Sequence, residues 1–451
     1  MELTFQILKY ILTAIVILTL YKNLYTVIGF FCRARKFEET DRQHTYGIVI
    51  CARNEEKVIG NLIDSIRAQN YPQAKLTVFV VADNCDDNTA LIAKEKGAVV
   101  FERHDLTKCR KGYALGFGFE RIREEYGIES FDGYMIFDAD NLLHPDYVKE
   151  MNKAFDTGEY AVVTGYRNTK NFSSNFISGG YGIHFYFSTL GYHRPRQRLH
   201  TSTHVAGTGY TIRSEWLKDG WKWFCLTEDT QFTYHVVANG GTIGYCEAAE
   251  FFDEQPTRVG TVLKQRLRWA KGRLYAFFAY APKMIAGLFK KKTHKWACYD
   301  MFFYAFPYGL ASALVSIASA IASVVVLLVA GDKAAAGAEV LSLLKGYGMS
   351  VLGFWFGNVC IGAIIVIRER KNIVCGKGKQ VLYVLLYPWF DLVDVPISLV
   401  SLFMHVTWRK IKHDDTTQIG DLMTKREELG APRGKEEPSE SAPQEEETSE
   451  K

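Results

Sequence analysis

Two aspartates separated by one residue, Asp138-Ala139-Asp140, close the apolar run Tyr134-Met135-Ile136-Phe137. Paired carboxylates at the exit of a buried strand are costly without a cation or ligand. Their hard oxygens suit Mg²⁺ or Mn²⁺ carrying a nucleotide diphosphate. Taken alone, the triplet is also a common turn or helix-capping sequence. Further along stand Thr227-Glu228-Asp229 and Gln265-Arg266-Leu267-Arg268-Trp269. An acid such as Asp229 fits a base that takes the proton of an attacking hydroxyl. Arg268 suits a phosphate, because a guanidinium makes a forked contact that lysine cannot copy. Trp269 offers an apolar face to an acceptor, and between Leu267 and Ala270 it reads equally as core packing.

These side chains need a scaffold, and residues 46 to 283 alternate short β-branched runs with helical patterns, as a doubly wound α/β domain does. Strands are predicted at Tyr46–Arg53, Leu76–Asp83, Ala98–Arg103, Gly133–Asp140 and Tyr160–Tyr166. Crossover helices are predicted at Val58–Gln69, Thr89–Lys96, Tyr113–Tyr126 and Pro145–Phe155. In such sheets ligands bind beyond the carboxyl ends of the strands. Ala52 and Glu55 follow the first strand, Asp83 ends the second, and Asp138 and Asp140 end the fourth. Asp83 is suited to accept from the imide N–H of a uracil, with Asp86 or Asp87 capping the next helix. Lys111 opens the third crossover helix, where it either approaches a nucleotide or is a solvated lysine. Gly207-Thr208-Gly209 precedes the strand-like Tyr210–Arg213 and reads as a turn or as a close backbone approach to an acceptor. His204, just upstream, reads as an ordinary polar residue. A dinucleotide site is excluded, because Cys51-Ala52-Arg53-Asn54-Glu55-Glu56 contains no glycine to admit a pyrophosphate, and no Walker loop is present.

Composition bounds the rest. A chain of 451 residues is too long for one ordinary domain. The net charge of +4 gives no nucleic-acid surface. Basic residues instead cluster beside apolar segments, at Arg33 to Lys36, Lys290 to Lys292, Arg368 to Lys371 and Arg409 to Lys412, as cytoplasmic flanks of membrane helices do. The 9 cysteines show neither Cys-x-x-Cys pairs nor zinc-ligand spacing, consistent with a reducing compartment.

The order Asn54-Glu55-Glu56, Asp83, Asp138-Ala139-Asp140, Gly207-Thr208-Gly209, Thr227-Glu228-Asp229 and Gln265–Trp269 resembles the family 2 glycosyltransferases. Specifically it resembles the membrane-embedded branch containing cellulose, chitin, hyaluronan and poly-N-acetylglucosamine synthases. The resemblance covers roughly residues 45 to 275. It implies a GT-A fold, inversion at the anomeric carbon, a UDP-sugar donor and Mn²⁺ or Mg²⁺. By position it implies Asp83 at the uracil, Asp138 by the ribose and diphosphate, and Asp140 on the metal. It further implies Asp229 as base, Glu228 beside it, and Gln265, Arg268 and Trp269 where acceptor meets diphosphate. Asp253-Glu254-Gln255-Pro256 resembles the polar stretch that often precedes the Gln-Arg-Trp motif in these enzymes.

The expected organisation is an N-terminal transmembrane anchor (1–36), a cytoplasmic catalytic domain (37–283), interfacial and transmembrane helices (284–413) and a disordered acidic tail (414–451). Apolar runs at Met301–Ala330, Val351–Ile367 and Val381–Val406 are each long enough to span a bilayer. Three crossings there would place Arg409 to Lys412 outside, against the positive-inside rule, so one segment should stay at the interface, and Lys295–Tyr308 is the expected one. Asp391 and Asp394 mark either a polar path or an interfacial position. The leading functional expectation is a processive polysaccharide synthase in the cell membrane, its translocation path completed by a second copy or an export partner. Single transfer to a lipid carrier or short acceptor is the alternative, and a catalytically dead nucleotide-sugar-binding scaffold is the non-enzymatic one.

Overall fold

The computed structural model describes residues 2–407, 411 and 413–429. Eight strands form one sheet: β1 (Tyr46–Ala52), β2 (Leu76–Asp83), β3 (Val99–Arg103), β4 (Gly133–Asp138), β5 (Leu142–Leu143), β6 (Val162–Thr169), β7 (Tyr210–Arg213) and β8 (Ile243–Asp253). Their order is β3-β2-β1-β4-β7-β6-β8-β5. The first four are mutually parallel. The second half is mixed: β7 runs antiparallel to β4 and β6, while β6 and β8 are parallel with a bulge at Gly165/Tyr166. The fold is therefore GT-A-like, and only its first half follows the doubly wound pattern.

Alternation along each strand divides the core in two. Ile48, Ile50, Val78 and Val80 pack under helices Ile59–Arg67, Thr89–Glu95 and Tyr147–Asp156. Val49, Phe79 and Ile136 pack on the other face under Lys111–Glu125 and Glu228–Ala238. With both faces covered, β1 and β2 read as continuous apolar runs, and each fully buried Val, Ile or Phe contributes about 1.5–3 kcal/mol. The common C-terminal edge of β1, β2 and β4 then carries Ala52, Asp83 and Asp138.

A 29-residue helix, Val259–Gly287, follows the sheet and carries the Gln-Arg-Trp motif. Helices Lys295–Ala305, Tyr308–Val329, Lys333–Arg368, Lys377–Leu392 and Asp394–Phe403 come next. By length and composition, 4 stretches could cross a membrane: Gln6–Phe31, Tyr308–Val329, Lys333–Arg368 and Lys377–Phe403.

The tail expectation is corrected over its first part. Residues 413–417 lie against the catalytic domain, and Ile419–Glu428 is a helix with a capping box between Gln418 and Asp421. Leu422 is buried with Leu142 and Phe252, and Arg426 pairs with Glu250 at 2.7 Å. Polar composition hid a short apolar cluster, Ile419, Leu422 and Met423, that covers the edge strand β5. Residues 430–451 and, apart from Ile411, the basic run Arg409 to Lys412 lie outside the described residues.

Candidate active site

The exits of β1 and β2 turn sharply. Asn54 and Asn84 both have positive φ, 55° and 54°. Asparagine tolerates this because its side chain bonds locally. Asn84 Oδ1 accepts from the Asp105 N–H at 2.7 Å, and Asn54 Oδ1 accepts from the Asp86 N–H at 2.9 Å. Asp83 is buried, and its Oδ1 accepts from Arg103 and from Asn84 Nδ2. Burial raises its pKa despite Arg103. Glu55 is buried too, its N–H donating to Thr89 Oγ1 at 2.7 Å. The Asp87 carboxylate accepts from the Thr89 N–H at 3.0 Å, the local bonding expected of Asp86 or Asp87.

Lys111 joins three of the predicted clusters. Its Nζ donates to Asp138 Oδ1 and, at 2.8 Å, to the Gly207 carbonyl. Burial would lower its pKa, but Asp138 and Glu228 together raise it. Thr208 Oγ1 accepts from the Asp138 N–H at 2.9 Å and donates to Asn141, whose Nδ2 donates to Asp253 Oδ1 at 2.9 Å.

Asp140, 3% exposed, accepts from the Glu254 N–H at 3.1 Å and adjoins Asp253. Burial, and then Asp140, push the Asp253 carboxyl up to about 7, against the pull of Arg167 at 3.7 Å. This is a buried carboxylate cluster whose hard oxygens suit a cation, with Arg167 and His413 as the protein's own positive groups beside it. Among the described residues no group of three or more His, Cys, Asp or Glu is arranged to hold a metal. A cation at Asp140 would thus take its remaining ligands from phosphate and water, as Mg²⁺ commonly does.

Asp229 lies in the first turn of helix Glu228–Ala238, and its Oδ1 accepts from the Thr230 N–H at 2.7 Å. A Cβ added to Gly207 would sit 3.7 Å from Asp229 Oδ2, so the Gly-Thr-Gly turn and this acid face each other. Burial, then Asp229, push Glu228 up to about 7, offset in part by Lys111 and Arg268. Asp229 is also raised by burial, with Thr230, Arg268 and Lys111 opposing. Helix Val259–Gly287 packs on this loop at Gly272, where a Cβ would be 2.6 Å from the Thr227 side chain. Arg268 donates to the Leu226 carbonyl at 2.9 Å. Tyr181 donates to Gln265 Oε1 at 2.6 Å and meets Trp269 edge-on at 6.0 Å.

Gly209 has φ +69°, and a Cβ there would lie 2.1 Å from Phe251 Cε1. Gly209→Ala is expected to destabilise the protein by at least about 1–3 kcal/mol, adding left-handed strain to a clash. Thermal unfolding measures this, and an unchanged Tm would show that the contact with Phe251 does not constrain this turn.

The predicted residues thus fall into one region running from Asp83 through Lys111, Asp138 and Gly207 to Asp229 and Arg268. Arg103, Asn141, Arg167 and His413 join it without having been expected. Burial would lower the His413 pKa, but the carboxylates of Asp140, Glu55 and Glu254 raise it to about 10, and its Nδ1 is 3.1 Å from Glu55. No spacing links His413 to residues some 160 or more positions earlier; only the return of the chain after the apolar helices brings it there. His204 is buried in a stack between His193 at 4.5 Å and Tyr304 at 4.7 Å, so it is packing.

Comparison with known proteins agrees with the fold. The chain matches the mannosyltransferase PcManGT from Pyrobaculum calidifontis in complex with GDP-Man and Mn²⁺ with a TM-score of 0.50 at 14% identity, covering 86% of this chain and 99% of that one. Among curated proteins it is 29% identical over 280 residues to "Probable glycosyltransferase YdaM" of Bacillus subtilis, covering 58% of this chain and 62% of that one. It is 26% identical over 270 residues to the poly-beta-1,6-N-acetyl-D-glucosamine synthase of Staphylococcus epidermidis, covering 56% and 63%. It is 23% identical over 238 residues to the beta-monoglucosyldiacylglycerol synthase of a Synechocystis species, covering 52% and 48%. The chain spans less than two thirds of each of these curated relatives. Residues 43–272, just over half of the 451, match the model "Glycosyltransferase like family 2"; the chain belongs to that family and is a glycosyltransferase.

Proposed function

We propose that this glycosyltransferase uses a UDP-sugar with Mn²⁺ or Mg²⁺ and inverts the anomeric centre to extend a β-linked polysaccharide, processively and with coupled membrane translocation. The observation that carries the reading is the convergence of Asp138, Gly207, Asp229 and the Gln265–Trp269 helix through Lys111 and Gly272. In this reading Ala52, Glu55, Asp83, Lys111 and Asp138 line the donor site. Asp140, with the donor diphosphate, would hold the cation, and the cation would supply positive charge to stabilise the leaving UDP. Asp229 takes the proton of the acceptor hydroxyl as its oxygen bonds to the anomeric carbon and the bond from that carbon to the diphosphate breaks. Arg268 and Lys111 lie close enough to lower the pKa of Asp229, where they also face the departing phosphate. Glu228, Gly207, Thr208, Gly209, Gln265 and Trp269 border the acceptor.

Contacts of the apolar helices support one membrane arrangement. Tyr308–Val329 is 22 residues, about 33 Å at 1.5 Å per residue, enough for one crossing. Lys333–Arg368 runs back, ending where Tyr166 donates to Glu369 at 2.8 Å. Lys377–Phe403 touches the catalytic domain at both ends: Lys379 donates to the Ser173 carbonyl at 2.9 Å, and Lys271 donates to the Ser401 carbonyl at 2.7 Å. That segment, rather than Lys295–Tyr308 alone, therefore stays on the domain's side. With one N-terminal crossing and two later ones, Lys377–Phe403 lies on the cytoplasmic side with the catalytic domain, an arrangement that would satisfy the positive-inside rule.

Incubating the full chain in lipid with Mn²⁺ and a panel of UDP-sugars, then sizing the product, tests the reading. Long products from one donor are expected. The similarity to beta-monoglucosyldiacylglycerol synthase favours single transfer to a lipid as the second reading. Product of one added sugar on diacylglycerol would establish it in place of the first.

A further inference from the structure

Among the cations of helix Val259–Gly287, Arg266 and Lys271 flank Arg268 and Trp269 and bind the apolar helices that follow. Arg266 is 3% exposed and donates to the Phe390 carbonyl at 2.6 Å and to Asp394 Oδ1 at 2.9 Å, with its guanidinium 3.7 Å from the Phe390 ring. Phe390 lies in the last turn of helix Lys377–Leu392, where carbonyls lack intrahelical donors, and Asp394 opens the next helix. Lys271 does the same one helix later: its Nζ donates to the carbonyls of Ser401 at 2.7 Å and Leu402 at 3.3 Å, in the last turn of Asp394–Phe403. Each cation thus caps the negative end of one apolar helix. The ring beneath Arg266 also belongs to this arrangement, since Tyr181, which orients Gln265, packs edge-on against Phe390 at 4.8 Å.

We propose that Arg266 and Lys271 are positioning residues. They clamp the motif-bearing helix to the ends of two apolar helices and so fix Gln265 and Trp269 relative to Asp229. The hydrogen bonds of the two cations go to Phe390, Asp394, Ser401 and Leu402 and not to Asp83, Lys111 or Asp138, so the clamp bears on what the helix carries, Gln265, Arg268 and Trp269, and not on the nucleotide side of the sheet. Its catalytic consequence rests on the proposed acceptor role of Gln265 and Trp269; the clamp itself rests only on the contacts above. If correct, loosening it leaves nucleotide binding intact and makes acceptor capture worse, because misplacement of about 1 Å costs up to roughly a hundredfold.

The test compares Asp394→Asn, Lys271→Met and the double variant with the unaltered chain in lipid, with Trp269→Ala alongside. Amide hydrogen exchange reads the clamp without any acceptor: exchange across 262–272 should speed up in the double variant while β1, β2 and β4 are unchanged. Unchanged exchange there overturns the proposal. With UDP-GlcNAc, Mn²⁺ and a β-1,6-linked N-acetylglucosamine oligosaccharide, the acceptor KM should rise roughly tenfold or more, while UDP affinity stays within about twofold. A parallel fall in UDP affinity would mean a general structural role and would also overturn it. If Trp269→Ala leaves the acceptor KM unchanged while the clamp variants raise it, the assignment of Trp269 fails and the clamp stands. The reverse pattern rejects the clamp alone. Should Asp394→Asn fail to fold, Lys271→Met alone carries the test, with Asp394→Glu, which keeps the charge, as the control expected to retain most of the transfer.

Discussion

Asp229→Asn is expected to lower transfer by about a hundredfold to ten-thousandfold, the range lost when a general base is removed, while UDP still binds. Asparagine keeps the size of the side chain and can still accept from the Thr230 N–H, so the loop should hold its shape. It cannot take a proton at neutral pH. Rates of UDP release with acceptor present, set against UDP affinity, measure the two effects separately, and unchanged turnover would reject the base assignment. The same site gives a pH dependence. Burial raises Asp229 above the ordinary carboxylate range, so turnover should climb as pH rises beyond that range and the base loses its proton; it also raises the neighbouring Glu228, to about 7. Stability should move the other way. An acid whose folded pKa is raised holds its proton longer folded than unfolded, so its contribution is full below the ordinary carboxylate value of 4.5 and is lost as pH passes about 7. A Tm that rose between pH 5 and 8 in Glu228-containing protein, relative to Glu228→Gln, would contradict this.

Asp300→Ala should be the most destabilising single change in the described chain. Arg196 and Asp300 are both 0% exposed, and the pair is bidentate: Nε to Oδ2 at 2.7 Å and Nη2 to Oδ1 at 2.9 Å. Tyr21 adds a hydroxyl to Asp300 Oδ1 at 2.9 Å, and the rings of Tyr25, Tyr192 and Tyr304 lie within 5.2–5.5 Å of the guanidinium. Removing one member leaves a buried charge without its counterion, at a cost of about 3–5 kcal/mol, a large part of the roughly 5–15 kcal/mol that holds a typical domain folded. Because Tyr21 and Tyr25 belong to the N-terminal helix, the loss should also detach that helix from Lys295–Ala305. Replacing both partners, Arg196→Met with Asp300→Leu, should recover most of the stability. Thermal unfolding in detergent compares the three, and a double variant no better than the single one would show that the pair has little to do with the loss.

The two predictions differ in how far the sequence foreshadows them. Asp229 was legible because a short acidic motif stands in a fixed order with others, and the scaffold around it was legible because parallel strands buried on both faces read as unbroken apolar runs. Tyr46–Ala52 and Leu76–Asp83 were placed to within a residue for that reason. β8 was not foreseen, since Glu247 and Glu250 interrupt its apolar run and it pairs with β6 across a bulge. Nor could spacing link Arg196 with Asp300, or Arg266 with Asp394, because such contacts exist only once helices far apart in the chain have packed. The helix Ile419–Glu428 was hidden differently: its few apolar residues are diluted by charge, and only the capping pair Gln418 and Asp421 marks it.

That last helix has a consequence for how the enzyme comes into being. Glu55 meets its His413 partner, Glu254 its Asp414 and Asp415 amides, and the β5 edge its cover, only from chain that follows the apolar helices. During synthesis the sheet can form early, but the rim beside Asp140 is finished only after Lys377–Phe403 has been placed. Under the proposed membrane arrangement the pocket is completed after insertion, and a nascent catalytic domain that has yet to receive its helices is also one that has yet to close the proposed donor site.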